Sequence, residues 1–283
     1  MKIIDTYCAA CAVFSQEHFD LHVWRRYADG IAPGLAEKVE RDAAGYDYER
    51  DVLPVLERFF QCMEIREQAH TSFLSVTHKL QKRIYKVLHT ELDVTLLLYL
   101  GLCNGAGWAT DLHGRPAVLL GLEKIVELGW HTERAMAGLI YHELGHTWHM
   151  QQRHGKKEAK TLRDKALWQL YAEGVAMYCE QLLVGDFDFF HQDTNGWLDW
   201  CRRNRAMLFA EYRRRVDTGE SVAPFFGDWN TFLGQADVGY YLGAEVAASL
   251  AEQYGLELLA NLDLDIVYAE ISKFCDDKTI DRN

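Results

Sequence analysis

The chain has 283 residues, of which 49% are hydrophobic and 25% charged, with a formal net charge of −12. That length suits one catalytic unit with a helical elaboration, the composition excludes a disordered chain, and no apolar run is long enough to cross a bilayer. The acidic balance argues against nucleic acid and anionic membrane surfaces as partners, since both are held largely by lysine and arginine.

Near the N-terminus, Cys8 and Cys11 have C-x-x-C spacing, but no second pair follows to complete a zinc knuckle, so they read as core packing. The seven cysteines are scattered and odd in number, which reads as reduced thiols, and Asp5 interrupts the apolar residues that a secretory leader needs. A cytoplasmic location is expected. From about Phe14 to His89 the apolar residues recur at helical spacing, as in Leu53, Leu56, Phe59, Phe60 and Met63, with Pro54 fit for a first turn.

The texture then changes. The apolar run 94–100, a glycine-rich segment 101–107 and the run 116–121 read as two strands joined by a turn-rich loop. The loop lacks the Gly-Lys-Ser/Thr ending of a phosphate cradle. A strand in this position can offer its edge to an extended peptide. Thr132 is placed to cap a helix with Glu133 in its first turn, running to Gln151 and Gln152 and ending near Gly155. After the charged stretch of Lys156, Lys157, Glu158 and Lys160, a second helix is expected from about Thr161 to Leu183, and another from near Asp237. The arginines between 202 and 215 read as a solvated helix face paired with neighbouring acids.

His142-Glu143-Leu144-Gly145-His146 lies inside the first of these helices. Residues four apart project from one face, so both imidazoles can converge on one ion, while Glu143 sits beside that face. Such a pair with an intervening glutamate is the working centre of zinc hydrolases. A catalytic zinc usually takes three protein ligands and keeps a position open for water. His149 stands seven residues beyond His142, about 10 Å of helix, too far to share the ion. The metzincin continuation is absent, with His149 and Gln152 where it needs glycine and histidine.

Glu173 is the expected third ligand. It is embedded among Leu167, Trp168, Leu170, Val175, Ala176 and Met177, where an unpaired carboxylate is costly to bury, and the small Gly174 and Ala176 suit close approach to the H-E-x-x-H helix. Glu180, Glu158 and Asp164 are the reserve candidates. Zinc lowers the pKa of bound water to roughly 7, so Glu143 can accept its proton as general base and then pass it to the departing amine. Tyr240, or its neighbour Tyr241, is a candidate donor to the oxyanion, with His113 and Tyr178 behind them.

The chain resembles the gluzincins, metallopeptidases whose H-E-x-x-H helix is followed by a glutamate ligand on a second helix. The gap between His146 and Glu173, 27 positions by subtraction, is longer than in thermolysin-like members. It is more similar to bacterial predicted Zn-dependent proteases of unknown substrate, in which an E-G-x-A-x-Y segment carries the third ligand. Their recurring segments match Asn104-Gly105-Ala106-Gly107, Glu173-Gly174-Val175-Ala176-Met177-Tyr178 and Gly239-Tyr240-Tyr241-Leu242-Gly243, over about residues 92–250.

The resemblance implies an α+β, predominantly α, zincin-like fold with a small sheet packed on the metal-binding helix. A single catalytic domain is expected over 1–283, with a helical subregion at 12–90 and a metal-binding core at 91–250. The expected cofactor is Zn2+ and the expected partner a peptide or protein substrate. The alternatives are a non-hydrolytic zincin-fold binding or regulatory protein, and a hydrolase of a non-peptide amide or ester.

Overall fold

A computed structural model describes residues 1–15, 18–154, 159–227 and 231–276. It divides into two compact units, Met1–Thr147 and Trp148–Asn283. Among the described residues the fold is mostly helical with a small mixed sheet, the broad α+β class expected from the sequence.

The first unit begins with β1 (Lys2–Asp5), α1 (Tyr7–Cys11) and a two-stranded ribbon of β2 (Phe14–Ser15) and β3 (His18–Phe19). The helical layer predicted for this region follows as α2 (Leu21–Ile31), α3 (Leu35–Asp42), α4 (Leu53–Gln61), α5 (Met63–His78) and α6 (Leu80–Leu88), with Pro54 in the first turn of α4 as expected. Strands β4 (Thr95–Tyr99), β5 (Gly107–Leu112) and β6 (Arg115–Gly121) come next, then α7 (Leu122–Glu127) and α8 (Glu133–Gln152).

The sheet order is β1-β4-β6-β5. Strands β1 and β6 flank β4 in parallel, with Ile4 and Leu119 both level with Leu97, while β5 runs antiparallel to β6. Residues 96–100 and 117–120 are buried, the double-sided burial that gives central parallel strands continuous apolar sequences. Here the sequence reading is corrected. The two apolar runs are neighbours in parallel, and the glycine-rich segment between them leads into a third strand, β5. That strand forms the hairpin with β6 through His113 and Gly114, whose φ angles of 54° and 77° suit a tight antiparallel turn. The strand immediately before α7 and α8 is therefore central, and the edge beyond it belongs to β5. The C-x-x-C expectation also changes: Cys8 is exposed and Cys11 only partly buried, because the single turn of α1 lies at the surface.

Helix α8 starts where the sequence places it, with the Ala135 N–H donating to Thr132 Oγ1 at 3.3 Å and Glu133 in the first turn. The division between the units falls inside this helix. The expected end near Gly155 and the charged stretch 156–158 lie outside the described residues.

The second unit contains α9 (Leu162–Val184), α10 (Trp197–Arg203), α11 (Arg205–Thr218), α12 (Val238–Tyr254), α13 (Leu256–Leu259) and α14 (Leu264–Asp276). A capping box opens α9: Thr161 Oγ1 accepts from the Asp164 N–H at 3.0 Å, and Asp164 Oδ2 accepts from the Thr161 N–H at 3.2 Å. Helices α9 and α12 meet backbone to backbone. A Cβ added at Gly174 would stand 2.2 Å from the Gly243 carbonyl oxygen, and one at Gly243 would stand 2.8 Å from the Gly174 nitrogen. Several of the arginines pair with acids as expected: Arg205 with Glu245, Arg213 with Asp217, and Arg214 with Glu211 and Glu220. No helix among the described residues is long and apolar enough to cross a membrane.

Candidate metal centre

In the first unit, the four-residue spacing on α8 brings the His142 and His146 rings to 4.8 Å between centroids, edge to face at 88°. His142 is buried at 3% exposure, whereas His146 is partly exposed. Glu143 is 8% exposed, and its carboxylate is seated directly against the start of β5. A Cβ at Gly107 would stand 2.4 Å from Glu143 Oε1, 2.6 Å from its Cγ and 2.7 Å from its Cδ. The glycine of the 104–107 segment therefore vacates the space that the Glu143 side chain fills. β5, the edge strand of the sheet, begins beside that carboxylate.

In the second unit, Glu173 lies mid-way along α9, partly buried, with Oε2 out of contact with solvent. Its charge reaches buried Tyr212, whose phenol is raised well above its ordinary value, first by burial and then by Glu173. The Tyr212 hydroxyl donates to the Ala166 carbonyl at 2.8 Å. Gly174 gives its bare backbone to Gly243 of α12. The later glycine-tyrosine segment is thus a packing motif in part: Gly243 meets Gly174, and a Cβ at Gly239 would stand 2.4 Å from Phe226. Of the two tyrosines between these glycines, Tyr241 is buried, with its phenol raised by that burial. Tyr240 is partly exposed, with its ring edge-on to Phe226 at 5.8 Å.

Asp164 is occupied in the capping box of α9, and Glu158 lies outside the described residues. His113 is exposed at the tip of the β5–β6 hairpin, and Tyr178 rests against Phe187 at 5.7 Å. His149 is 1% exposed, packed between Trp168 at 5.2 Å and Tyr171 at 4.9 Å.

Sequence reasoning overlooked one pair. Glu180 is fully buried and accepts from the His191 backbone N–H at 3.1 Å, with His191 Nδ1 at 2.9 and 3.0 Å from its two oxygens. The signal available was a glutamate two helical turns beyond Glu173 in an apolar setting, followed by a histidine just past the helix-ending Gly185. Compared with protein-family models, curated proteins and solved structures, the chain matches none.

Proposed function

We propose that the chain is a cytoplasmic zinc-dependent metallopeptidase of zincin-like fold, with His142, His146 and Glu173 as metal ligands. The observation that carries this reading is the seating of Glu143: an acid between two histidines of one helix, held against the first residue of an edge strand. Each of the three proposed ligands offers one atom of the kind zinc takes, an imidazole nitrogen or a carboxylate oxygen. The same donor chemistry is available from Glu180 and His191 in place of His146 and Glu173. Glu180 and His191 are hydrogen-bonded to each other.

A divalent cation held by this set supplies Lewis acidity, activating water and polarising a carbonyl. Glu143 accepts the proton from the attacking water and delivers it to the departing amine, acting as base and then as acid. The outer edge of β5 can pair with an extended peptide, aligning the scissile bond beside Glu143 by backbone hydrogen bonds that are indifferent to side-chain identity. Tyr240, the less buried of the two tyrosines, is suited to donate its hydroxyl to the developing oxyanion.

The test is digestion of a diverse peptide library by the zinc-loaded chain and its Glu143→Gln variant. Cleavage by the first and none by the second is expected. If the wild type leaves every peptide intact, the peptidase reading falls. Cleavage of model esters or simple amides by that same preparation would then identify a non-peptide hydrolase, and its absence a non-hydrolytic metal-binding protein.

A further inference from the structure

We infer that Glu123 is a positioning residue for Glu143: its buried carboxylate ties down segment 101–107, whose last residue is the wall against which Glu143 rests. The role of Glu143 as a base rests on the metallopeptidase reading, whereas the tie between Glu123 and the wall does not.

Glu123 is the second residue of α7 and is 1% exposed. Its Oε2 accepts the Gly101 N–H at 2.9 Å and its Oε1 accepts the Cys103 N–H at 3.1 Å. The carboxylate fits because neighbouring residues lack side chains. A Cβ at Gly101 would stand 2.6 Å from Glu123 Oε1, and one at Gly121 would stand 2.5 Å from the Gly105 carbonyl oxygen and 3.2 Å from Glu123 Oε1.

The restraint continues along the segment. Asn104 donates to the Val39 carbonyl at 2.9 Å and to Asp42 Oδ2 at 2.8 Å, and the Gly121 N–H donates to the Ala106 carbonyl at 3.0 Å, one residue before Gly107. Cys103 holds a positive φ of 64°, which a residue with a side chain seldom adopts unaided, so the bend there draws on these bonds. Both carboxylate oxygens accept a backbone N–H, which explains the residue type: glutamine would turn its NH2 group, a donor, toward one of these two N–H groups. A buried carboxylate is costly, and desolvation pushes this one up to about 7 against the pull of its backbone hydrogen bonds. The ionisable groups around it are the buried hydroxyls of Tyr99 and Tyr27, with Lys124 and Asp42 contributing fields to the cluster.

The experiment compares the full chain with its Glu123→Gln variant by NMR, following the amides of Gly101, Cys103 and Gly107 and the side-chain carboxyl of Glu143. In the variant, exchange at Gly101 or Cys103 is expected to accelerate roughly tenfold, the loss of one buried hydrogen bond, and the Gly107 and Glu143 signals are expected to shift. Zinc content should match wild type, and kcat should fall about tenfold with a smaller change in KM, because a displaced base weakens the chemical step. Unchanged Gly107 and Glu143 signals in a folded variant would overturn the inference whatever the activity. A wild type that cleaves nothing would instead count against the metallopeptidase reading and leave the NMR comparison decisive. Should the variant not fold, the wild-type amides are titrated: Gly101, Cys103 and Gly107 moving with one midpoint near 7 supports the tie, and Gly107 failing to follow overturns it.

Discussion

Replacing Gly107 by alanine isolates the placement of Glu143 from everything else the fold does. The new Cβ would lie 2.4 Å from Glu143 Oε1, whereas ordinary contact begins at 3.4 Å, so the carboxylate has to retreat by about 1 Å. The atoms in the way, Oε1, Cδ and Cγ, all belong to the Glu143 side chain, which can rotate about its Cα–Cβ bond, and Gly107 is not among the positive-φ glycines, so the backbone accepts alanine. Stability is expected to change by less than about 1 kcal/mol, since the relief of glycine's extra chain entropy offsets the rotation forced on Glu143. Activity is expected to suffer far more. A 1 Å misplacement of a reacting group can cost about 100-fold, or about 2.7 kcal/mol of transition-state stabilisation. The assay is kcat and KM on a peptide that the wild type cleaves, with zinc content and urea unfolding measured on the same preparations. A variant that keeps its zinc and stability and also keeps kcat within twofold of wild type would refute the seating of Glu143 as the reason for glycine at this position.

Gly174→Ala tests the contact between α9 and α12: its Cβ would stand 2.2 Å from one backbone atom of Gly243 and 2.6 Å from another, neither of which can rotate away. Alanine's advantage in a helix, about 1 kcal/mol, is then outweighed by overpacking of about 1–3 kcal/mol or more, so the urea midpoint should fall, whereas Gly30→Ala in α2, with open space around it, should raise it. Glu123 carries a pH signature. Its folded-state pKa of about 7 lies above the ordinary 4.5, so its contribution to stability is fully present below about 4.5 and is lost as pH rises through 7. In metal-free protein, unfolding free energies of wild type relative to Glu123→Gln should therefore decline by on the order of 3 kcal/mol between those limits, and a pH-independent difference would contradict the assignment.

The parts of this fold that sequence discloses are those set by local chemistry. Thr132 and Thr161 cap α8 and α9 as their residue types predict, and α12 starts at Val238, directly after Asp237. There the local signal has a different cause, since Asp237 Oδ1 accepts from the Gly227 N–H rather than from the helix. The H-E-x-x-H geometry follows from helical periodicity alone. Strand β5 was not legible because Gly107, Ala109 and Asp111 have poor strand propensity, and its pairing with β6 is what makes it a strand. The partners of bare glycines were equally hidden. Gly174 announces a close approach but not to what, and only the packing shows Gly243 opposite it and Glu143 against Gly107. Glu180 stands out in the sequence as a reserve ligand, yet its bond to His191 depends on a chain reversal beyond Gly185 that spacing does not reveal.

The most direct test is zinc stoichiometry measured on the purified wild type and on His142→Ala, His146→Ala, Glu173→Gln, Glu180→Gln and Glu143→Gln. One zinc per chain is expected in the wild type, in Glu180→Gln and in Glu143→Gln, with loss from the first three variants. A wild type without stoichiometric zinc would contradict the proposed metal centre, and zinc retained in Glu173→Gln but lost from Glu180→Gln would contradict its third ligand.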